Sequence, residues 1–336
     1  MLPEGFTSRP ATLDDIPQVV AMLNKTDGND HPTYFEADTL TEWQTPNFDV
    51  SQSTQLVYSS AQLLVGYIEV WDIDNPPVRP TIWGRVHPNY SRQGIGTYLM
   101  KWAENRAQQA IPRSPDGVRI AYQCGCDVEH IGTQKLFESM SLTYYRDSWD
   151  MEITLEEEPK QVQLPDGFII RDYRHPEEFR DIVLANEEAF EDHFGYVKKT
   201  PEQHLEQWKH LIDNDPYFDP TVWFIAEHIA SGGIAGVSIS RPRAWNNPDK
   251  AYLGSLSVRR QYRRNGLASA LLKHTFSQFW LRGTNTITLS VDASNLTGAT
   301  DLYKKAGMHV SRHLMLYEKE LRSGIEYSMI DPNLAN

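Results

Sequence analysis

Residues 251 to 273 read A-Y-L-G-S-L-S-V-R-R-Q-Y-R-R-N-G-L-A-S-A-L-L-K. The stretch has three parts. Ala251 to Val258 alternates small or polar residues with apolar ones, the pattern of a half-buried strand. Arg259 to Gly266 is polar and carries four arginines. From Leu267 onward, Leu272, Phe276, Phe279 and Trp280 fall at i, i+4, i+7 and i+8, on one face of a helix. A strand, a basic glycine loop and a helix in this order suit a phosphate. The helix N-terminus offers unpaired N–H groups and the positive end of its dipole. Gly266 has no Cβ and admits an anion close to the backbone. Successive N–H groups in such a turn form an anion-binding nest, and Arg263 and Arg264 can add charge-assisted hydrogen bonds.

Two common phosphate loops are absent from the chain: it has no G-x-x-x-x-G-K-[ST] and no G-x-G-x-x-G. What remains is Arg263-x-x-Gly266-x-Ala268 after a strand ending in Val258. This resembles the acyl-CoA loop of the GNAT (Gcn5-related) N-acetyltransferases, [RQ]-x-x-G-x-[GA]. Residues 290 to 308, S-V-D-A-S-N-L-T-G-A-T-D-L-Y-K-K-A-G-M, resemble the same family's S-x-N-x-x-A-x-x-L-Y-x-x-x-G-F, with Tyr303 in place and Asn295 one position ahead of the pattern's asparagine. The bland alternatives are a basic turn between a strand and a helix, and a core tyrosine at helix spacing with Leu302.

The resemblance implies a set of roles. Leu256, Ser257 and Val258 would pair with the pantetheine arm, and a backbone N–H there would meet the oxyanion of the thioester. Arg263, Arg264, Asn265, Gly266, Leu267, Ala268 and Ser269 would hold the pyrophosphate. Arg259 and Arg260 either reach a 3′-phosphate or are simply solvated. Asn295 would hydrogen-bond the CoA arm, and the Tyr303 hydroxyl would protonate the departing thiolate. A phenol of pKa ~10 can serve a thiol of ~8.5 because the charge formed in the transition state drives the transfer.

Composition sets the outer bounds. The 336 residues are 40% hydrophobic and 23% charged, an ordinary globular balance with chain for about two domains. A net charge of −13 speaks against sequence-independent binding of DNA or RNA and isolates the arginine cluster in an acidic chain. The two cysteines, Cys124 and Cys126, have no second ligand pair with zinc spacing. Two reduced thiols in or beside a strand are therefore expected, with no metal site. No apolar run approaches the ~20 residues of a membrane span, and no signal peptide is evident. A cytoplasmic protein is expected.

The opening pattern has a counterpart upstream. D-G-F-I-I-R-D-Y (166 to 173) echoes E-G-F-T-S-R-P (4 to 10), Gly94 matches Gly266, and Leu136-Phe137 matches Leu302-Tyr303. The period of roughly 165 residues indicates two copies of one domain rather than a solenoid. Each copy reads β-α-(α)-β-β-β-α-β-α-β, which resembles the GNAT order. The expected fold class is α/β (α+β): two tandem GNAT domains, each a mixed, mostly antiparallel twisted sheet flanked by helices. The expected division is 1 to 155, a charged, proline-bounded linker at 156 to 165, and 166 to 336. The tandem architecture resembles that of the mycothiol synthases and related acetyltransferases.

The copies are unequal. Ser91 stands at the loop arginine position with Arg92 displaced by one, Glu129 stands where Asn295 does, and Phe137 stands where Tyr303 does. The first copy is expected to be catalytically silent, with Gly94 and Gly96 retained. In the mycothiol synthases and many relatives, an acidic residue near the start of the phosphate-loop strand assists the acceptor amine. Ala251 to Val258 has no carboxylate, and Tyr252 lies near that place. Asp192 and His193, where the first helix of the second copy ends, are candidates for the acceptor site. They would orient a cationic acceptor or act through a water, or they form only a helix-end hydrogen bond. The expected activity is transfer of acetyl from acetyl-CoA to a primary amine, on a small molecule or a peptide, by direct attack. The alternative is a non-catalytic acyl-CoA-binding or sensor protein.

Overall fold

The computed structural model describes residues 2–27, 32–160, 163–245, 247–294 and 298–328. The first half of the chain runs β1 (Phe6–Arg9), α1 (Ile16–Asp27), α2 (Glu36–Trp43), α3 (Val50–Ser53), β2 (Thr54–Ser59), β3 (Leu64–Trp71), β4 (Thr81–Val86), α4 (Ile95–Ala107), β5 (Ile120–Asp127), α5 (Ile131–Ser139) and β6 (Thr143–Thr154). The second half repeats it as β7 (Phe168–Asp172), α6 (Phe179–Phe190), α7 (Pro201–Asn214), β8 (Trp223–His228), β9 (Gly233–Arg241), β10 (Ala251–Val258), α8 (Leu267–Leu281), β11 (Thr286–Asp292), α9 (Ala299–Lys305) and β12 (His309–Arg322).

Two compact units result, and they divide the chain differently from the sequence repeat. One comprises Met1–Arg146 and Leu314–Tyr327; the other is built on Asp147–His313. In the first, β1 to β4 form an antiparallel meander, β4 meets β5 in parallel, and the chain's last strand completes the sheet, with Leu314–Arg322 of β12 antiparallel to β5. In the second, β7 to β10 form the meander, β10 meets β11 in parallel, and Ser148–Thr154 of β6 lies antiparallel to β11. The two closing strands are thus exchanged between the halves.

Local chemistry explains where elements begin. Thr200 opens α7 with a capping box: its hydroxyl accepts from the Gln203 N–H at 3.3 Å, the Gln203 side chain accepts from the Thr200 N–H at 2.8 Å, and Pro201 follows. On α8, Leu272, Phe276 and Phe279 are buried as their spacing requires, while Trp280 is half-buried. Residues 25 to 50 read as irregular, yet α2 forms there and α3 begins at Val50. Eight polar-rich residues give too short a window for periodicity, and α2 is held by its buried Trp43, whose indole N–H donates to the Tyr67 hydroxyl at 3.2 Å. Cys124 and Cys126 lie in β5; both are buried, and burial pushes the thiols up, Cys126 to about 11. Among the described residues, no helix is long and apolar enough to cross a membrane.

The sequence echo at the two starts is also an echo of contacts. Arg9, ending β1, forks onto Asp15 with both N···O distances at 2.6 Å; Arg171, in β7, forks onto Glu178 at 2.9 and 2.7 Å. The hydrogen bond from Arg9 draws the Asp15 carboxyl down to about 2. At Glu178, burial alone would raise the carboxyl, but Arg174 and Arg171 outweigh it and bring it to about 2. A carboxyl depressed by folding stabilises above its ordinary range, and that contribution is lost as pH falls through the depressed value. Asp15→Asn is therefore expected to cost about 1 kcal/mol at pH 7, after allowing for solvent around the half-exposed Arg9. Urea titrations should show the two proteins converging as pH approaches about 2. A gap that persists there would mean the pair is not its source.

Candidate active site

The candidate site is a cavity lined by the second unit, and β10 shapes it. The β10–β9 register shifts between Leu253 and Ser255, a bulge at Gly254 that bends the strand. Its parallel pairing with β11 covers only Ala251↔Ile287 and Tyr252↔Thr288. Beyond that point the two strands diverge. Leu253 to Val258 on one side and Leu289 to Asp292 on the other line a cavity of about 340 Å³. β11 therefore gives the main chain of β10 no partner past Tyr252, which leaves strand-like hydrogen-bonding groups facing the cavity.

The glycine loop closes one end. Gly266 precedes α8 at φ +80° and Arg264 lies at φ +67°, both in the left-handed region. A Cβ at Gly266 would meet nothing within 4 Å, so glycine is needed there for its backbone and not for want of space. Arg263, Arg264, Gly266, Leu267, Ala268 and Ser269 line the cavity, together with Leu256, Ser257 and Val258. Asn265 belongs to the same loop but is not among the lining residues. Asn295 lies outside the described residues.

Tyr303 comes from α9 and reaches the same cavity. It is 8% exposed, and its hydroxyl makes no hydrogen bond among the described residues. Burial first, and the neighbouring Tyr252 phenol second, push its pKa up to about 12. The phenol thus keeps its proton throughout the neutral range. Tyr252, raised by burial, interacts through its hydroxyl with Ser290.

His193 lines the cavity from the turn after α6 and stacks obliquely on Phe190, ring centroids 4.2 Å apart. Burial, and then the nearby Arg263 charge, hold its imidazole below the ordinary range. It is therefore neutral at pH 7, able to accept a proton. Asp192 faces the loop arginines. It is 9% exposed, does not line the cavity, and gives its carboxylate to Arg260 and Arg263, the latter at 2.8 Å. Arg263 in turn uses all three of its guanidinium nitrogens: Nη1 donates to Asp192, Nη2 to the Ala189 carbonyl at 2.8 Å and Nε to the Val258 carbonyl at 3.0 Å.

Two polar groups escaped the sequence reading. Asn186 lies on the mostly apolar inner face of α6, and its Oδ1 accepts from the Ser255 and Ser257 hydroxyls at 2.5 and 3.0 Å. One amide interrupting an apolar helix face was the available signal. Asp292, at the end of β11, brings a carboxylate to the cavity, its Oδ1 accepting from the Ser294 N–H at 2.9 Å.

In the first unit the corresponding places are occupied differently. Gly94 keeps the left-handed turn before α4 at φ +83°, but a Cβ there would sit 3.1 Å from Pro3, and one on Gly96 would sit 3.3 Å from Leu136. Phe137 is buried against Tyr317, centroids 5.3 Å apart, and Glu129 is exposed.

Comparison with known proteins agrees with this geometry. Residues 16–140 and 182–308 each match the Acetyltransferase (GNAT) family. A mycothiol acetyltransferase of Streptomyces scabiei is 26% identical over 268 residues, 79% of each chain. The crystal structure of a GCN5-related N-acetyltransferase from Sphaerobacter thermophilus aligns with a TM-score of 0.80 at 30% identity, covering 97% of this chain and 99% of that one. A tandem GNAT protein from the clavulanic acid biosynthesis pathway shares the fold, with a TM-score of 0.70 at 13% identity over 94% of this chain and 98% of that one. The chain belongs to the GNAT acetyltransferase family, with two GNAT domains in tandem.

Proposed function

We propose that the second unit moves an acetyl group from acetyl-CoA to the primary amine of a small molecule, by direct attack in a ternary complex. The observation that carries this reading is the divergence of β10 from β11 above a glycine loop. The free edge of β10 suits an extended arm bearing amides, and the loop's N–H groups suit the phosphates at its far end. Mycothiol acetyltransferases among the relatives support a small-molecule acceptor.

The chemistry follows from the groups lining the cavity. The amine nitrogen attacks the thioester carbonyl, and a backbone N–H of β10 near Leu256 to Val258 meets the oxyanion. As the C–S bond breaks, the thiolate takes the proton that Tyr303 has kept. The amine's proton goes to a base. The strand from Ala251 to Val258 offers no carboxylate, whereas His193 is neutral and faces the same cavity. A protein that only sensed acyl-CoA would have no use for a buried acid at the end of the arm. The first unit, with Phe137 in that place, supplies no acid of this kind.

The test is thiol release from acetyl-CoA across a panel of amino sugars, other small amines and peptide N-termini, with calorimetric CoA titration alongside. Turnover on small amines but not peptides is the expected result. CoA binding without turnover on any amine would favour a non-catalytic acyl-CoA binder. Absence of CoA binding would remove both readings.

A further inference from the structure

The end of α6 spends its polar residues on β10 and the glycine loop. Asn186 ties down Ser255 and Ser257, the two serines that follow the bulge. Glu188 pairs with Arg259 at 2.7 Å. Asp192 takes Arg260 and Arg263, and the Ala189 carbonyl takes a second nitrogen of Arg263. Three of the loop's four guanidinium groups are thereby turned toward α6. Arg264 is exposed and has no carboxylate partner among the described residues.

We propose that Asp192 is a positioning residue for the diphosphate of acyl-CoA: it holds Arg260 and Arg263 back against α6, so that the loop's backbone N–H groups, with Arg264, meet the phosphates. This rests on the acetyl-CoA reading above and gives Arg263 the part of a strut instead of a phosphate ligand. Arg263 bridges the last carbonyl of β10 and a carbonyl of α6, which fixes the loop where it leaves the strand. Without Asp192 two cations lose their carboxylate, and the loop is left held to α6 only through the Ala189 carbonyl and Glu188. Burial would raise the Asp192 carboxyl, but Arg260 and Arg263 outweigh it and hold it below the ordinary range, so the tether is ionised at neutral pH.

The sign of one substitution separates positioning from plain electrostatics. Removing a negative charge beside a phosphate site strengthens anion binding if charge is all that matters. Positioning requires the opposite. Asp192→Asn is expected to raise KM for acetyl-CoA about tenfold, the size of one lost charge-assisted hydrogen bond, with kcat little changed. Asp192→Glu should restore part of the loss. Acetyl-pantetheine, which has no diphosphate, should react with unchanged kcat/KM in Asp192→Asn. An unchanged or lower KM for acetyl-CoA would overturn the inference, and so would an equal loss with both donors, which marks general damage to the fold. If the wild-type protein binds no CoA by calorimetry, the functional reading falls and takes the inference with it.

Discussion

Tyr303→Phe is expected to lower kcat for acetyl transfer about a hundredfold while leaving KM for acetyl-CoA within about threefold. The variant keeps the ring that packs in the core of the second unit and removes only a hydroxyl with no hydrogen-bond partner among the described residues. The fold should therefore be undisturbed, and Phe137 shows that a phenylalanine packs well at the corresponding place of the other unit. What is lost is the proton for the thiolate. With the phenol held at about 12, wild-type Tyr303 is protonated across the neutral range, so the deficit should be constant from pH 6 to 9. Steady-state thiol release with a saturating amine, together with calorimetric titration of CoA, measures both quantities. A variant with comparable kcat would take the acid role away from Tyr303.

The glycine loop that lines the cavity was legible because its pattern is local. Val258, Arg263, Gly266 and Ala268 sit within a dozen residues, and the left-handed turn that demands glycine depends on its own backbone alone. The side chains that hold this loop were not legible in the same way. Glu188 and Asp192 lie about 70 positions upstream of the arginines they bind, in a run of acidic residues with the look of a solvated helix end. Nothing in the order of residues distinguishes a carboxylate facing water from one facing a guanidinium. Asp192 is a candidate for the acceptor site on sequence, with a helix-end hydrogen bond as the alternative; in the structure it is buried and pairs with Arg260 and Arg263. His193, one residue on, does reach the cavity.

The exchange of closing strands was illegible for a different reason. Because the halves repeat, β6 and β12 occupy equivalent positions in the two copies, and the sequence does not mark which of them pairs with β5 and which with β11. The charged segment at 156 to 165 looks like a boundary and follows β6 directly, but cutting there would leave β5 without β12 and β11 without β6. Register and neighbour are tertiary properties, and a repeated sequence fits both partners equally.

Gly236→Val should destabilise the second unit by about 3 kcal/mol, the upper end for overpacking, and abolish CoA binding in whatever remains folded. Gly236 lies in β9 opposite Val258, the residue that leads into the glycine loop. A Cβ there would stand 2.6 Å from the Ser257 carbonyl oxygen, 3.1 Å from Val258 Cγ2 and 3.2 Å from Leu271 Cδ1. The first of these is backbone, which yields only if β10 moves as a strand. The Arg259 N–H donates to the Ala235 carbonyl at 2.9 Å next to this point, so any shift carries the loop with it. The first unit provides the control. Gly66 lies opposite Val86, and a Cβ there would approach Ile95 Cγ2 at 2.9 Å and Leu99 Cδ1 at 3.1 Å, both side-chain atoms of α4 and neither of them backbone of a neighbouring strand. Gly66→Val should therefore cost less and leave acetyl transfer per folded molecule intact. Denaturant midpoints and CoA titrations of the two variants measure the contrast. Equal loss of CoA binding in both would mean that β4 and its loop serve the cofactor as much as β10 does.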